Sequence, residues 1–324
     1  MNTPALYILT VLIWGASWVG ISFQVGEVAP IHGVLYRYVL AAALLHLFLT
    51  TKNAVPLSAK QHGLSAAMGL LMFAANYVLV YSAISLGLTS GLAAVVFSLL
   101  IVMNAINTAI FFGEAPGRAL IPAATLGLAG VALLFSDDIA LIISGRAAGL
   151  PLLLCIGAVY GASLGNMLSR KLQATGAEVT TANAWAMAYA ACGLLAWSLA
   201  FEQPFTWSLK PSFLISLGIL TVFSTIIAFW CYLTLLGRIG AARAAYAFVA
   251  FPAVALALSS VFEGLEWTTP KIAGVALVLL GNVALRLSQS AKGPNSAETG
   301  AGRGVAIFVS CAGQPRWVNV ASPV

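Results

Sequence analysis

Charged residues are scarce in this chain. Only 7% of its 324 residues are Asp, Glu, Lys or Arg, whereas 61% are hydrophobic. Soluble domains contain about 25% charged residues, so this supply cannot cover a water-exposed surface. The mean hydropathy of +0.98 indicates a protein whose solvent is lipid. The apolar runs are long and continuous rather than short and alternating, which favours membrane helices over a β-barrel.

Acidic residues are missing from the middle of every long apolar run. All nine lie near the ends of the runs, in the connections or in the C-terminal tail. Proton-driven pumps commonly use a buried Asp or Glu, so facilitated diffusion, exchange and coupling through Glu114 or a histidine all stay open. The chain also lacks a G-x-x-x-x-G-K-[ST] motif, and ATP drive is therefore not supported.

Cysteine spacing indicates neither a metal site nor a disulfide. The four cysteines, Cys155, Cys192, Cys231 and Cys311, form no C-x-x-C pair, and three lie in apolar runs where cysteine acts as a small hydrophobe. We expect no cofactor and no metal. The first apolar run has no basic leader and no A-x-A site after it, which predicts a retained helix rather than a signal peptide.

The long apolar runs predict an all-α integral membrane protein with ten transmembrane helices. Each run is close to the length needed to cross about 30 Å of hydrocarbon. The short connections leave no room for a soluble catalytic domain. The predicted spans are residues 5–24, 31–50, 64–85, 91–113, 119–136, 148–168, 180–201, 212–236, 242–262 and 269–287.

Lysine and arginine predict the orientation. Basic residues concentrate in cytoplasmic loops, and placing both termini in the cytoplasm puts seven inside and three outside. The scattered basic residues explain the net charge of +6 without any nucleic-acid partner. The inside set is Lys52, Lys60, Arg118, Arg170, Lys171, Arg238 and Arg243, and the outside set is Arg146, Lys210 and Lys271.

Two similar stretches predict an internal repeat. LIWGASWVG begins at Leu12 and AVYGASLGN at Ala158, so that Trp14 aligns with Tyr160 at an offset of 146. A repeat of this length holds five helices, and an odd number makes the second copy enter the membrane from the opposite side. Such inverted repeats are typical of secondary transporters. We predict a first repeat over 1–136, a periplasmic linker over 137–147, a second repeat over 148–287 and a disordered cytoplasmic tail over 288–324.

Further matches along the chain indicate a family. They are IWGASWVGI in the first span, the Tyr36-Arg37-Tyr38 stretch followed by VLAAALL in the second, Glu114 and Glu263 closing the fourth and ninth, and FVAFP ending at Pro252. With the ten-helix repeat, this pattern resembles the EamA type of the drug/metabolite transporter superfamily. That resemblance implies an inner-membrane exporter of amino acids, other small metabolites or xenobiotics.

Arg37 is the one basic residue placed well inside a span. A charge in hydrocarbon costs at least about 2.5–3.5 kcal/mol, so this side chain should face protein or water. It is either a cationic anchor for a substrate carboxylate, a gate residue, or a structural arginine that reaches toward the outer surface.

Aromatic and small polar side chains supply the other candidate substrate-binding residues. Trp14 and Ser17 in the first span, with Tyr160 and Ser163 at the related place in the sixth, either line a cavity or pack a helix contact. The third span contributes Asn76, Tyr77 and Tyr81, and the eighth contributes Thr225 and Trp230 with their neighbour Ser224 as symmetry-related candidates. Asn104, Asn107 and Thr108 in the fourth span favour interhelical hydrogen bonding instead.

These features favour a secondary transporter that works by alternating access, with a small-molecule substrate and membrane lipid as partners. A homodimer is left open. A lipid-acting membrane enzyme would need a His/Asp or Ser/His/Asp set at one membrane face, and the three histidines are dispersed. A non-transporting membrane scaffold would not require the repeat.

Overall fold

A computed structural model of the chain describes residues 1–52, 54–114, 120–134, 136, 149–202, 204–244, 247–290, 305–309 and 316–320. The chain divides into two units, residues 1–286 and residues 287–324. The predicted linker over 137–147 lies outside the described residues, as do Arg118 and Arg146 of the charges used for orientation.

In the described part of the first unit the regular elements are helices, and the connections include one isolated bridge, Val25 to Val28. The first predicted repeat contains α1 (Thr3–Ser22), α2 (Pro30–Thr50), α3 (Ala59–Met68), α4 (Asn76–Ser85), α5 (Ser90–Phe97), α6 (Leu100–Phe112) and α7 (Leu120–Leu134). The second contains α8 (Leu150–Ala174), α9 (Val179–Ala200), α10 (Pro211–Ile219), α11 (Ala228–Ile239), α12 (Ala241–Ala244), α13 (Ala247–Phe262) and α14 (Thr269–Ser290).

Each of the ten predicted spans falls on helix in this architecture. Six helical stretches are long and apolar enough to cross a membrane: Thr3–Ser22, Pro30–Thr50, Ala59–Ser85, Ser90–Phe112, Leu150–Ala174 and Pro211–Ile239. The all-helical, membrane-type architecture of this unit is therefore as predicted. The count of ten crossings and the inverted relation of the two repeats stay predictions.

Local sequence explains where several helices begin and end. The side chain of Asn2 accepts a hydrogen bond from the Ala5 amide at 3.0 Å, which satisfies one free donor of the first turn. Pro30 and Pro211 stand in the first turns of α2 and α10, where no amide proton is needed. Gly113 ends α6 with a φ of 67°, a left-handed conformation that glycine adopts without strain.

A π-helical segment interrupts the third helix of each predicted repeat. Gly69–Ala75 joins α3 to α4, and Leu220–Ile227 joins α10 to α11. The two segments start 151 residues apart, which is also the separation of Tyr81 and Tyr232 in the repeat. Both third helices therefore carry a π segment at matching positions. Such segments occur frequently at functional sites.

The most extensive helix contacts join a helix of one predicted repeat to a helix of the other. α1 lies against α13 and α11, α2 against α9, and α4 against α8. A Cβ atom added at Gly15 would lie 2.9 Å from the Cβ of Val254. The small residue of the W-G-A-S stretch therefore permits the close approach of α1 to α13, as small residues do in membrane helix pairs.

Pro252 lies inside α13 and leaves a helical carbonyl without its usual donor. A proline has no amide proton, so the carbonyl four residues earlier loses its i→i−4 partner. That carbonyl belongs to Phe248, and it accepts a hydrogen bond from the hydroxyl of Ser98 at 3.2 Å. The junction between α5 and α6 therefore supplies the hydrogen bond that the Phe248 carbonyl of α13 lacks within its own helix.

Contacts between helix ends define two ends of the first unit. At the proximal end, Arg238 donates to the Met1 carbonyl and Gln61 donates to Thr175. At the distal end, the rings of Phe23 and Phe262 meet at 6.3 Å. Helices α1 and α11 therefore have opposite directions across the bundle.

The second unit contains two paired strands within the tail that we predict to be disordered. Strands β1 (Val305–Val309) and β2 (Arg316–Val320) pair antiparallel, with Ile307 opposite Val318. Both segments are rich in β-branched and aromatic residues, which favour strands. The disorder of the tail stays a prediction, and residues 291–304, 310–315 and 321–324 lie outside the described residues.

Candidate functional site

A cavity of about 50 Å³ lies at the meeting point of helices from both predicted repeats. Its walls come from α1, the first π segment with α4, α5, α6, α8, the second π segment with α11, and α13. The lining side chains are Trp14, Ser17, Trp18, Ile21, Met72, Asn76, Tyr77, Val80, Phe97, Leu100, Ala162, Asn166, Ser224, Phe229, Tyr232, Phe248 and Phe251. The lining is thus mainly apolar and aromatic, with a few hydroxyl and amide groups.

The size of the cavity limits what it can hold in this conformation. Small-molecule sites in proteins typically measure about 300–1,000 Å³, whereas a buried water occupies about 30 Å³ of liquid volume. A space of about 50 Å³ is therefore too small for a metabolite. Binding a solute here requires the surrounding helices to separate.

Trp14 forms the centre of the aromatic wall. Its ring lies 5.0 Å from Phe229, 5.1 Å from Tyr232 and 5.4 Å from Phe248, measured between ring centroids. These distances lie in the range of favourable aromatic pairs. Its indole Nε1 donates to the carbonyl of Ser224 at 3.0 Å, which binds α1 to the second π segment.

Trp18 extends the same wall one turn further along α1. Its ring centroid lies 5.0 Å from that of Phe97 and 5.9 Å from that of Phe251. The two tryptophans are four residues apart and so occupy one helix face, while Gly15 between them permits contact with α13. In LIWGASWVG, the two tryptophans therefore line the cavity, and Gly15 permits the helix contact.

Arg37 is fully buried beside the cavity. Its Nε donates to the hydroxyl of Thr225, and its Nη2 donates to the hydroxyl of Ser224 at 3.1 Å. The guanidinium carbon lies 4.5 Å from the ring centroid of Tyr77, which is a favourable cation–π distance. Within the described part of the chain, the buried Nη1 atom makes no well-aligned hydrogen bond.

A chain of hydroxyl groups connects Arg37 to the cavity wall. Ser224 accepts from Arg37 and donates to Ser17 at 3.1 Å, and Ser17 donates to the Trp14 carbonyl at 3.1 Å. Ser17 and Ser224 both line the cavity. The charge of Arg37 is therefore separated from the cavity only by small polar side chains and the Tyr77 ring.

A second polar cluster joins α6 to α8. The hydroxyl of Ser163 donates to Asn104 Oδ1 at 2.9 Å and accepts from Asn107 at 2.8 Å, while Asn166 donates to the same Asn104 oxygen at 3.2 Å. These contacts are the interhelical hydrogen bonds expected for the fourth-span asparagines. Asn166 also lines the cavity, as does Tyr232 of α11.

The structure brings eight of the ten predicted site residues to the cavity or next to it. Trp14, Ser17, Asn76 and Tyr77 line it. Four others lie behind the wall: Arg37 and Thr225 in mutual contact, Ser163 beside Asn166, and Tyr81, whose hydroxyl donates to Gln24 at 2.8 Å.

Tyr160 and Trp230 lie elsewhere. Tyr160 is 50% exposed on α8 and does not line the cavity. Trp230 lines a separate surface groove beside Phe48 and Leu49 of α2. Both were expected from the symmetry of the repeat. Instead, α8 presents Ala162 and Asn166 to the cavity, and α11 presents Phe229 and Tyr232.

Sequence reasoning missed most of the aromatic and amide groups from the second repeat. Asn166 closes the AVYGASLGN stretch, Tyr232 aligns with Tyr81, and Phe248 and Phe251 belong to the FVAFP stretch. Each therefore had a signal in the repeat or in the family motifs. Within the described residues, no group of three or more His, Cys, Asp or Glu side chains could hold a metal ion.

Comparisons with known proteins agree on one family. The model of the EamA-like transporter family matches residues 3–136 and again residues 149–287. A "Probable amino-acid metabolite efflux pump" of Escherichia coli K12 is 24% identical over 284 residues, which cover 85% of this chain and 92% of that protein. The pump of the same description from Salmonella typhimurium LT2 is 25% identical over the same shares.

A solved crystal structure supports the fold. It aligns with 90% of this chain and 99% of its own with a TM-score of 0.63, at 16% sequence identity. Similarity at this level of identity concerns the arrangement of the helices alone.

Proposed function

The chain belongs to the EamA-like transporter family, and from that premise we propose that it is a secondary transporter that exports small amphipathic metabolites. Amino acids and xenobiotics are examples of such solutes. The export works by alternating access, in which the two predicted repeats move against each other around a central site. The protein has no ATP-binding motif in its sequence, so the solute or an ion gradient supplies the driving force.

The observation that carries this proposal is the central cavity with walls from both predicted repeats. Trp14 and Tyr77 of the first predicted repeat line it together with Asn166 and Tyr232 of the second. A mostly aromatic surface with a few amide and hydroxyl groups suits a solute with one apolar and one polar part. A site between two mobile halves is where alternating access requires it.

Polar contacts between the repeats at both ends support a gated path. At the proximal end Arg170 of α8 pairs with Glu114, which follows α6. At the distal end Glu263, which follows α13, accepts a hydrogen bond from the Ser90 amide of α5 at 2.9 Å. Opening the cavity to one side requires one of these contacts to break while the other holds.

The curated relatives support the direction and class of transport. Both are described as amino-acid metabolite efflux pumps, and each aligns over most of its length. We infer a bacterial inner-membrane location with the proximal end in the cytoplasm. Reporter fusions after Lys60 and Lys171 should then report cytoplasm, and a periplasmic signal at either position would contradict this orientation.

Transport assays in liposomes test the function. The purified full chain should move a small solute that is found by screening the metabolites released on overexpression. Trp14→Ala and Tyr77→Ala should each lower the initial rate about tenfold or more, since each removes a large part of the cavity wall. Trp197→Ala is the matched control, because Trp197 is exposed and does not line the cavity.

The outcomes separate the site from the function. Wild-type rates in both cavity variants, with folded protein, would remove those residues from the solute path. A wild-type chain that moves none of the screened solutes would contradict the transporter proposal itself.

A further inference from the structure

Arg37 is a buried cation that no carboxylate of the described chain neutralises. The two ion pairs among the described residues are Arg170 with Glu114 and Lys210 with Glu27, and neither involves α2. A guanidinium stays protonated in proteins, and an unpaired buried charge is costly. Its present neighbours supply only hydroxyl groups and aromatic faces.

The guanidinium is also incompletely hydrogen-bonded. Thr225 and Ser224 accept from Nε and Nη2, whereas among the described residues Nη1 makes no well-aligned hydrogen bond and has the Tyr77 and Tyr81 hydroxyl groups nearby. A guanidinium presents its donors as a planar fork that fits both oxygens of a carboxylate. Nη1 together with Nη2 would form such a fork once the Ser224 hydroxyl rotates or moves away.

The route from the cavity to this fork is short and polar. Ser224 touches Arg37 on one side and the cavity on the other, and Tyr77 lies against the guanidinium and also lines the cavity. Ser224 belongs to the second π segment, a helix geometry that occurs frequently at functional sites. The cavity cannot hold a metabolite until its walls separate, and that separation would expose the fork.

From this geometry we propose that Arg37 binds the carboxylate of the transported solute, whose apolar or aromatic body then lies against Trp14, Phe229 and Phe248. This rests on the proposed transport function and specifies its substrate class as carboxylates with an apolar body. None of the cavity-lining residues is acidic, so the site selects for the carboxylate rather than for an ammonium group.

Three probes of matched size test the assignment: phenylacetate, phenylalanine and phenethylamine. The first has only the carboxylate, the second has both charged groups and the third has only the ammonium. Ligands that bind the native state raise its unfolding temperature, so thermal unfolding of the full chain in detergent reports binding. Phenylacetate and phenylalanine should raise the unfolding temperature of the wild type. Phenethylamine should need a concentration at least about tenfold higher to give the same rise.

Substitutions at Arg37 complete the test. Arg37→Gln should weaken phenylacetate binding about tenfold or more, and Arg37→Lys should weaken it less, because it keeps the charge but loses the fork. Lys60→Gln is the matched control, since it removes an exposed cation outside the cavity. It should leave phenylacetate binding unchanged. If Arg37→Gln does not fold, Arg37→Lys decides the outcome, by a weakening of phenylacetate binding relative to the wild type.

Two results would overturn the proposal: equal binding of phenylacetate by the wild type and a folded Arg37 variant, or no preference of the wild type for the carboxylates. Counterflow of the same probes in liposomes distinguishes this from failure of the proposed function. A chain that transports the amine and the carboxylates alike loses the Arg37 assignment but remains a transporter. A chain that binds phenylacetate through Arg37 but transports nothing loses the proposed function instead.

Discussion

Trp14 and Tyr160 hold the same place in the two copies of the repeat but have opposite surroundings. Trp14 is 6% exposed, at the centre of the aromatic wall, and donates to the Ser224 carbonyl. Tyr160 is 50% exposed on the outside of α8. In the second predicted repeat, the α8 residues that line the cavity are instead Ala162 and Asn166.

The glutamates that close the fourth helix of each repeat differ in a similar way. Glu114 forms an exposed ion pair with Arg170, whose guanidinium also lies 4.2 Å from the Phe112 ring centroid. Glu263 is half-buried and accepts from the Ser90 amide and the Ser259 hydroxyl. One glutamate pairs with a cation at the proximal end, whereas the other caps the first turn of α5 at the distal end.

The two predicted repeats therefore match more closely in backbone features than in the surroundings of their side chains. The π segments recur 151 residues apart, but the first presents Met72 to the cavity and the second presents Ser224. The first repeat supplies the tryptophans, whereas the second supplies the hydroxyl groups that bind Arg37. A central site built this way is asymmetric, and such a site can hold one end of a solute differently from the other.

The largest difference in stability should be between alanine substitutions at Trp14 and at Tyr160. Trp14→Ala should destabilise the protein by about 3 kcal/mol, because the aromatic wall loses its central ring and no lipid fills the space. Tyr160→Ala should change stability by less than about 0.5 kcal/mol. Thermal or denaturant unfolding of both variants in one detergent checks this, and equal losses would contradict the asymmetry.

The Glu263 cap should have the next largest effect. Glu263→Ala leaves the Ser90 amide without its acceptor at a partly buried helix start, at a cost of about 1–3 kcal/mol. Glu266→Ala is the control, because Glu266 is exposed and only its backbone carbonyl accepts, from Lys271. Unfolding midpoints at one scan rate measure the difference. A loss from Glu266→Ala as large as that from Glu263→Ala would show that the cap is not responsible.

The Glu114 and Arg170 pair should contribute less than the Glu263 cap. Exposed ion pairs contribute about 0–1 kcal/mol and are screened by salt. A double-mutant cycle with Glu114→Gln and Arg170→Gln should therefore give a coupling below about 1 kcal/mol that falls as salt is added. A coupling energy larger than the loss of stability in Glu263→Ala, or one that added salt leaves unchanged, would contradict the expectation that the proximal contact contributes less than the distal one.

The smallest effect should be at Glu27, which forms the other exposed ion pair at the distal end. The hydrogen bond from Lys210, at 2.6 Å, lowers the pKa of the Glu27 carboxyl below its ordinary value of 4.5. A lowered pKa contributes stability above the ordinary value, and that contribution is lost as the pH falls through the folded-state pKa. Glu27→Gln should therefore lower the unfolding midpoint slightly at pH 7, and the difference from the wild type should disappear with acidification below 4.5. A difference that grows with acid would contradict this assignment.

The positions of the helices could be predicted from the sequence because length and hydropathy set them. Each predicted span lies on helix, and boundaries such as Pro30, Pro211 and Gly113 coincide with helix starts and ends in the structure. The π segments could not be predicted, since Gly69–Ala75 and Leu220–Ile227 have the same apolar composition as ordinary membrane helix. Their hydrogen-bond shift depends on contacts with neighbouring helices.

The candidate site was only partly predictable for a related reason. Trp14, Ser17, Asn76 and Tyr77 were found as polar or aromatic groups inside apolar spans, where such groups need a partner or a cavity. Phe229 and Phe248 could not be distinguished from other apolar residues by that rule. Symmetry then pointed to Tyr160, although Ala162 and Asn166 are the α8 residues that line the cavity.

The sequence by itself determined that this protein is a membrane transporter of the EamA-like family, with apolar helices of fixed order and a basic residue inside the second. Scarce charge leaves lipid as the only suitable solvent, and the motifs identify the family. Only the tertiary structure decided which helix faces meet, because rotation and close approach depend on packing at residues such as Gly15 and Val254. That packing put Arg37 beside hydroxyl groups and next to an aromatic cavity, with no acidic side chain paired to it among the described residues.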